Sequence, residues 1–312
     1  MIVWTFSVAT IVLGTGLVFS QNYPTRPIHL VTPEVGGGAD LVARLIAQGI
    51  GGPLGQPVVV DNRPSGVIPG DTVAKAPPDG YTLLVTGSNH WLTPLMQANV
   101  PYDAVKDFAP ITLVIRGPNV LVVHRSLPVK SVKELIALAK ARPGVLNYGS
   151  SAVGTPSHLG AEMLKSMAGI DILRVSYRGT GPLINALITG EVQLMVSSAP
   201  AVMPHVKSGR LRALAVTSAE PSALAPGLPS VAATVPGYDA VSIIALFAPA
   251  KTPEPIINRL NQEVVRVIDR ADVKERLFNA GGEVVGGSPT QLGSALKFDL
   301  LMWGKVMLPA VS

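Results

Sequence analysis

Short apolar strands alternate with amphipathic helices along most of this 312-residue chain, and no other feature constrains the fold as strongly. The first unit, residues 28–54, predicts a buried strand, a glycine-rich turn at residues 36–38 and a helix with apolar residues four positions apart. Similar strand–helix units follow, and three predicted helices close the chain. This alternation predicts an α/β protein with mostly parallel sheets and helices on both faces.

Several predicted strands end in loops of small residues that open the next helix. These loops lie at residues 34–39, 150–157, 178–181 and 197–200. In open α/β sheets ligands bind at the carboxyl ends of strands, and helix N-termini present free N–H groups to anions. Glycine- and serine-bearing turns also occur for structural reasons alone, so the pattern leaves both interpretations open for each loop.

Four helix starts carry capping signals. Ser131 followed by Glu134 predicts a capping box that opens a helix over residues 132–141. Thr252, Asp272 and Ser288 are the predicted N-caps of the three closing helices. Residues 222–236, rich in proline, alanine and serine, predict a connector.

Charge and composition exclude several classes of function. The formal net charge is +5, but the basic residues are scattered singly with no aromatic interleaving, so nucleic-acid binding is not predicted. Cysteine is absent, which excludes disulfides, thiolate metal sites, a catalytic cysteine and a lipid anchor on cysteine. Hydrolase, zinc-protease and phosphate-loop signatures are missing as well. We therefore expect no enzyme, no cofactor and no metal.

The N-terminal residues 1–20 carry no ionisable side chain and end in a small residue. They predict a secretory signal peptide cleaved before Gln21, and hence a periplasmic protein. The usual positive n-region is missing, because the first basic residue is Arg26. An uncleaved membrane anchor is the alternative, since the uncharged run approaches the ~20 residues that span a bilayer.

Nine segments, taken in order and spacing, resemble one protein family. They are PTRPIHLV at 24–31, VVVDNRP at 58–64, AKAPPDGYTLL at 74–84, VPYD at 100–103, DFAP at 107–110, LNYGS at 146–150, SHL at 157–159, YRG at 177–179 and GRLRALAVT at 209–217. The family is that of the tripartite tricarboxylate transporter receptors, the Bug-type periplasmic solute-binding proteins. The resemblance covers residues 23–307.

The resemblance implies a type II periplasmic-binding-protein fold, in which two α/β domains flank a ligand cleft and are joined by two crossing strands. We place the crossings near residues 119–124 and 242–249. One domain would take residues 21–119 plus 245–312, and the other residues 120–244.

The resemblance also implies a function. A small organic carboxylate would be captured between two closing domains and delivered to a membrane transporter with a large and a small subunit. The receptor is expected to be a monomer. Two alternatives stay open: a ligand-sensing receptor that signals to a membrane sensor kinase, and a hydrolase of carboxylate esters.

Carried over by position, the resemblance predicts ligand contacts in both domains. The predicted binding residues are Val35, Gly36, Gly37, Gly38, Ala39, Asp40, Gly87, Ser88, Asn89, Ser150, Ser151, Gly154, Thr155, Ser157, Tyr177, Arg178, Gly179, Ser197 and Ser198. Two positions depart from the family pattern. Glu34 stands where an aromatic residue is usual, in a loop one residue shorter, and would repel a carboxylate if it faced the ligand. Ser197 and Ser198 lack the nearby aspartate that can bind an amine, which disfavours amino-acid ligands.

Five further side chains have competing interpretations. Arg178 could pair with a carboxylate or face solvent at its turn. His158 is expected to make a structural hydrogen bond at a helix start. His90 could line the cleft beside Trp91, whose indole is expected in the core, and Arg63 is expected to brace its own turn.

Overall fold

The computed structural model describes residues 23–33, 35–63, 67–151 and 153–307. The predicted signal peptide and its cleavage site lie outside these residues, and so does Glu34.

Within the described residues the strands and helices alternate as the sequence predicts. The strands are β1 (Ile28–Thr32), β2 (Val58–Asn62), β3 (Thr82–Gly87), β4 (Phe108–Gly117), β5 (Asn119–His124), β6 (Asn147–Ser150), β7 (Leu173–Ser176), β8 (Leu194–Ser198), β9 (Leu211–Val216), β10 (Ser242–Pro249) and β11 (Glu283–Gly286). The helices are α1 (Gly38–Leu54), α2 (Ile68–Ala74), α3 (Asn89–Leu92), α4 (Val132–Ala141), α5 (Pro156–Ala168), α6 (Thr180–Thr189), α7 (Ala199–Lys207), α8 (Glu254–Ile268), α9 (Ala271–Asn279) and α10 (Pro289–Met307).

The strands form two sheets, which define two lobes. The first lobe contains the six-stranded sheet β11-β4-β10-β3-β1-β2 with helices α1–α3 and α8–α10. The second lobe contains the five-stranded sheet β7-β6-β8-β5-β9 with helices α4–α7. The two-lobed α/β architecture implied by the sequence is confirmed.

The expectation of mostly parallel sheets is wrong, because both sheets are mixed. In the first sheet β1 pairs in parallel with β2 and β3, whereas β10 runs antiparallel to β3 and β4, and β11 antiparallel to β4. In the second sheet β6 is parallel to β7 and β8, whereas β5 runs antiparallel to β8 and β9. The antiparallel pairs involve strands next to the two passages between lobes, where no crossover helix orients the chain.

The chain passes between the lobes twice, at residues 117–119 and 217–242, and hydrogen bonds join the two passages. Asn119 N–H donates to Thr217 Oγ1 at 2.8 Å, and Thr217 N–H donates back to Asn119 O at 2.9 Å. Ala240 N–H donates to Thr217 O at 2.9 Å. Strand β5 starts at the first passage and β10 directly after the second, so both predicted crossings fall beside the observed ones.

Three helix starts test the capping predictions with different outcomes. Ser131 Oγ accepts the Glu134 N–H at 3.2 Å as predicted, although the Glu134 carboxylate accepts from Lys130 N–H. Ser288 and Gln291 exchange reciprocal bonds at the start of α10. The prediction for Thr252 is wrong, since its hydroxyl donates to the Pro249 carbonyl and Pro253 is the N-cap of α8.

Two strands and one helix start were not predicted correctly. Strand β4 contains Pro110, which obscures a strand pattern, yet it pairs on both sides within the first sheet. Strand β11 is a four-residue edge strand. Helix α9 starts at Ala271 with Arg270 as its N-cap, so Asp272 lies inside the first turn, where it pairs with Arg270.

A continuous hydrophobic core joins the lobes behind the cleft. Buried Leu84 and Phe247 of the first lobe belong to the same cluster as Leu159 and Leu214 of the second. None of the helices in the described ranges combines the length and apolar character needed to cross a membrane.

Candidate functional site

A cavity of about 920 Å³ lies between the two lobes, at the carboxyl ends of several strands. Its floor is formed by the passages between lobes, including Gly117, Pro118, Asn119 and Ser242. The remaining lining comes from loops that open helices in both lobes. Such a cleft at the carboxyl ends of strands is where α/β proteins bind small molecules.

The wall on the first lobe combines glycine backbone with apolar side chains. Gly37 and Gly38 open α1, while Ile115, Ile243 and Ile244 come from the adjoining strands. The Cδ1 atom of Ile244 would lie 3.2 Å from a Cβ on Gly38, so this isoleucine packs directly against the start of the helix.

Asp40 organises the loop before α1 from inside the lobe. Its carboxylate accepts the Gly36 N–H at 2.9 Å and the Asn62 amide at 2.9 Å, and it pairs with Arg44 at 3.0 Å. Burial raises the pKa of Asp40, but the hydrogen bonds from Arg44, Gly36 and Asn62 outweigh it, so the pKa lies below its usual value. The first turn of α1 thus already holds an anion.

The wall on the second lobe is rich in hydroxyl groups. Ser151, Thr155 and Ser157 lie within hydrogen-bonding distance of one another, with oxygen–oxygen distances of 3.0, 3.1 and 3.2 Å. The Ser151 N–H also donates to Ser157 Oγ at 3.1 Å. This cluster sits at the N-terminus of α5, which has no acidic residue in its first turn.

Arg174, on β7, holds the hydroxyl-bearing loop in place from behind. Its Nε donates to Ser150 Oγ at 2.6 Å, and a terminal nitrogen donates to Ser151 O at 2.9 Å. The guanidinium therefore fixes the loop and adds a positive charge behind it. Sequence reasoning missed this residue, because nothing marked a cation on a short strand as part of a site.

The third part of the polar wall is the turn before α6. Arg178 lines the cavity, and among the described lining residues it carries the one charged side chain. Tyr177 also lines it, while its hydroxyl donates to Glu191 at 2.7 Å. Burial, together with Glu191, raises the pKa of Tyr177 to about 12, so the phenol stays neutral at ordinary pH.

The lobes also touch at both rims of the cavity. At one rim a Cβ on Gly154 would lie 3.2 Å from Met96 Cε. At the other, a Cβ on Gly281 would lie 2.9 Å from Pro200 Cδ. The Ser222 hydroxyl, in the second passage between lobes, donates to Glu283 of β11 at 2.8 Å.

Most of the residues predicted from the sequence line this cavity. Those that do so are Gly37, Gly38, Ala39, Gly87, Ser88, Asn89, Ser151, Gly154, Thr155, Ser157, Tyr177, Arg178, Gly179, Ser197 and Ser198.

Four predicted residues do not line this cavity. Val35 is 71% exposed on the outer part of its loop. Gly36 and Asp40 bind each other. Ser150 is fully buried, and its hydroxyl accepts from Arg174.

Several lining residues were not predicted, among them Ile243 and Ile244 of β10 and the two groups that follow. Ile115 and Gly117 belong to β4, a strand that was not predicted, whereas Asn119 starts β5, which was predicted as a crossing strand but not as part of the site. Ala280 and Gly281 follow α9, which is distant in sequence from every loop considered.

The remaining candidate side chains have structural roles. His90 and Trp91 are 2% and 1% exposed and lie in the core, with His90 stacked on Tyr102 at 4.6 Å. His158 Nδ1 accepts the Gly154 N–H at 3.3 Å, a structural bond of the kind expected. Arg63 pairs with Asp61 at 2.8 Å in its own turn.

Comparison with known proteins assigns the family. The model of the tripartite tricarboxylate transporter family receptor, TctC, matches residues 42–307. The chain belongs to this family. Protein BugT of Bordetella pertussis is 35% identical over 299 residues, which cover 93% of this chain and 91% of BugT.

Solved structures of relatives share the fold. A Rhodopseudomonas palustris protein with adipate is 38% identical, with a TM-score of 0.79 over 91% of this chain and 97% of its own. MatC from the same organism, with bound malate, is 30% identical, with a TM-score of 0.78 over 91% and 100%. The periplasmic binding protein BugD is 30% identical, with a TM-score of 0.77 over 92% and 98%. The receptors of this family are periplasmic solute-binding proteins.

Proposed function

We propose that this protein captures a small organic carboxylate between its two lobes and delivers it to a membrane transporter with a large and a small subunit. The observation that carries the proposal is the cavity wall of the second lobe, where hydroxyl groups, the N-termini of three helices and Arg178 converge. Groups of this kind bind anions through charge-assisted and backbone hydrogen bonds. Relatives solved with adipate and malate support the carboxylate class.

Closure follows as a population shift, because a ligand that contacts both walls binds the closed arrangement better than the open one. The joined passages at Asn119 and Thr217 are where the lobes would turn relative to each other. We assign residues 21–119 plus 245–312 to one domain and 120–244 to the other. The protein would act as a monomer, exported with removal of residues 1–20.

A thermal-shift screen tests the carboxylate proposal. At 100 times its dissociation constant a ligand stabilises the folded state by about 2.7 kcal/mol. We expect at least one member of a panel of mono-, di- and tricarboxylates to raise the melting temperature. Amines and neutral sugars of similar size serve as controls, and a panel without any stabilising acid would contradict the proposal.

Two separate experiments address delivery and export. Uptake of the identified acid should require this chain together with the transporter subunits. If uptake persists when this chain is deleted, and a kinase response to the acid is lost, the sensing alternative is favoured. N-terminal sequencing of the secreted protein should give a first residue of Gln21.

The hydrolase alternative requires that the purified protein turns over a carboxylate ester and that this turnover is lost on Ser157→Ala.

A further inference from the structure

The two walls of the cavity differ in charge and polarity, and the difference bears on which carboxylate is bound. Helices α5, α6 and α7 of the second lobe begin without an acidic residue in their first turns, and Arg178 lies beside them. A carboxylate placed there gains from three uncompensated helix dipoles and one full positive charge.

The first lobe offers an anion fewer favourable electrostatic interactions than the second lobe does. Its long cavity helix, α1, has Asp40 in the first turn, and that carboxylate already accepts the Gly36 N–H. Arg44 pairs with Asp40, so these two side chains add no net positive charge to the helix start, in contrast to Arg178 on the second-lobe wall. Ile244 packs against Gly38 at the same place and covers part of the helix start with hydrocarbon.

Apolar surface continues from Ile244 along the first-lobe wall. Ile243, Ile244 and Leu41 are partly exposed side chains that line the cavity, and Ile115 lies beside them. Asn89 and Ser88 add polarity on this side but carry no charge. Such a surface gains free energy by covering a hydrocarbon group rather than a second carboxylate.

We infer that the ligand is an amphipathic monocarboxylate, whose acid group binds the second lobe and whose hydrocarbon body lies against the isoleucines of the first. The inference rests on the proposed function and narrows its substrate class. The cavity volume of about 920 Å³ leaves room for a body longer than that of a four-carbon acid. A second carboxylate at the far end would lose hydration against Ile243 and Ile244 without a cation to replace it.

Calorimetric titration of the full mature chain with acids of equal length tests this inference. The probes are butyrate, hexanoate and octanoate, with succinate, adipate and suberate as their diacid counterparts. We expect the affinity for the monoacids to rise by about fourfold per added methylene group, equivalent to about 0.8 kcal/mol. Each monoacid should bind at least tenfold more tightly than the diacid of equal length, with a negative heat-capacity change.

Variants separate the two ends of the ligand. Ile244→Ser should reduce the gain per methylene group, so that the loss of affinity is largest for octanoate and smallest for butyrate. Ile68→Ser, at an exposed isoleucine outside the cavity, is the matched control and should leave the gain unchanged. If Ile244→Ser fails to fold, Ile243→Thr provides the same test from the neighbouring position.

Tighter binding of the diacids, or monoacid affinity independent of chain length, would overturn the inference and leave the proposed function in place. Absence of binding by every mono-, di- and tricarboxylate would overturn both.

Discussion

The two cavity walls are built from the same kind of unit, a strand followed by a loop and a helix, yet they present opposite surfaces. In the first lobe the loop before α1 is closed by its own aspartate, Asp40, and covered by Ile244. In the second lobe the loop before α5 is held by Arg174, which donates hydrogen bonds to Ser150 and Ser151. The two loops therefore differ in the charge of the side chain that holds them, an aspartate in the first lobe and an arginine in the second.

Acidification should have the largest effect on stability, and it should act on both lobes alike, since each buries one histidine. Burial lowers the pKa of His90 in the first lobe to about 3, and burial together with Arg174 lowers that of His158 in the second to about 4. Protonation favours the unfolded state, whose histidine pKa is about 6.5. Stability is therefore complete above that pH and is lost as the pH falls toward 4.

Between pH 7 and pH 5 we expect each histidine to cost about 2 kcal/mol of the free energy of unfolding. Urea denaturation at these pH values should show a shallower pH dependence for both His90→Phe and His158→Gln. His158→Gln keeps an acceptor for the Gly154 N–H. A pH dependence identical to that of the unmodified chain would contradict the burial of that histidine as its cause.

The charged residue of the second lobe should have the next largest effect. Arg178→Gln removes the one full charge of the described cavity lining and should weaken carboxylate binding by about 2 kcal/mol, roughly thirtyfold. Arg125→Gln, at an exposed arginine outside the lining, should leave affinity unchanged. Equal affinity of both variants in calorimetry would show that the guanidinium of Arg178 faces solvent instead.

Contact between the lobes can be tested at Gly281, which has φ +92° and faces Pro200 across the rim. Gly281→Ala and Gly227→Ala should both destabilise the fold by about 1 kcal/mol, because both glycines have left-handed backbone conformations. Only Gly281 has a neighbour across the cleft, whereas a Cβ on Gly227 would meet no atom within 4 Å.

Ligand affinity should therefore fall about tenfold, or about 1.4 kcal/mol, for Gly281→Ala alone. Titration of both variants with the same acid decides the point. An equal loss for Gly227→Ala would show that general destabilisation, not the rim contact, is responsible.

The bracing of the second-lobe loop should give the smallest effect. Arg174→Met removes the bonds to Ser150 and Ser151 and should weaken binding by about 1 kcal/mol, roughly fivefold. Arg212→Met is the matched control in the same lobe, since Arg212 donates to the carbonyls of Leu127 and Val129 away from the cavity. The two variants should lose similar stability, but only Arg174→Met should lose affinity; equal affinities would exclude a positioning role.

Local signals in the sequence predicted much of the fold. Helix α4 has the predicted bounds, because Ser131 and Glu134 define its start within four residues. Helix α1 continues through Gly51 and Gly52 to Leu54, because Ile50 and Leu54 are buried in the first-lobe core. Strand β4 was missed for the same kind of reason, since its pairing with β10 and β11 depends on residues more than a hundred positions away.

The residues of the candidate site also fall into those that could be predicted from the sequence and those that could not. The glycine- and serine-bearing loops that line the cavity could be found from the sequence, because loop composition and position after a strand are local properties. Ala280 and Gly281 could not, since only the packing of α9 brings them to the cleft.

The glycine turn at residues 36–38 shows where that division falls. The residue types at these positions predict a turn free of large side chains that opens a helix, and the family resemblance places that helix beside a ligand cleft. The folded structure adds that Gly36 donates its N–H to Asp40 and that Ile244 packs against Gly38. Both contacts depend on how the chain folds, because the sequence gives the order of the residues but not the distances between them.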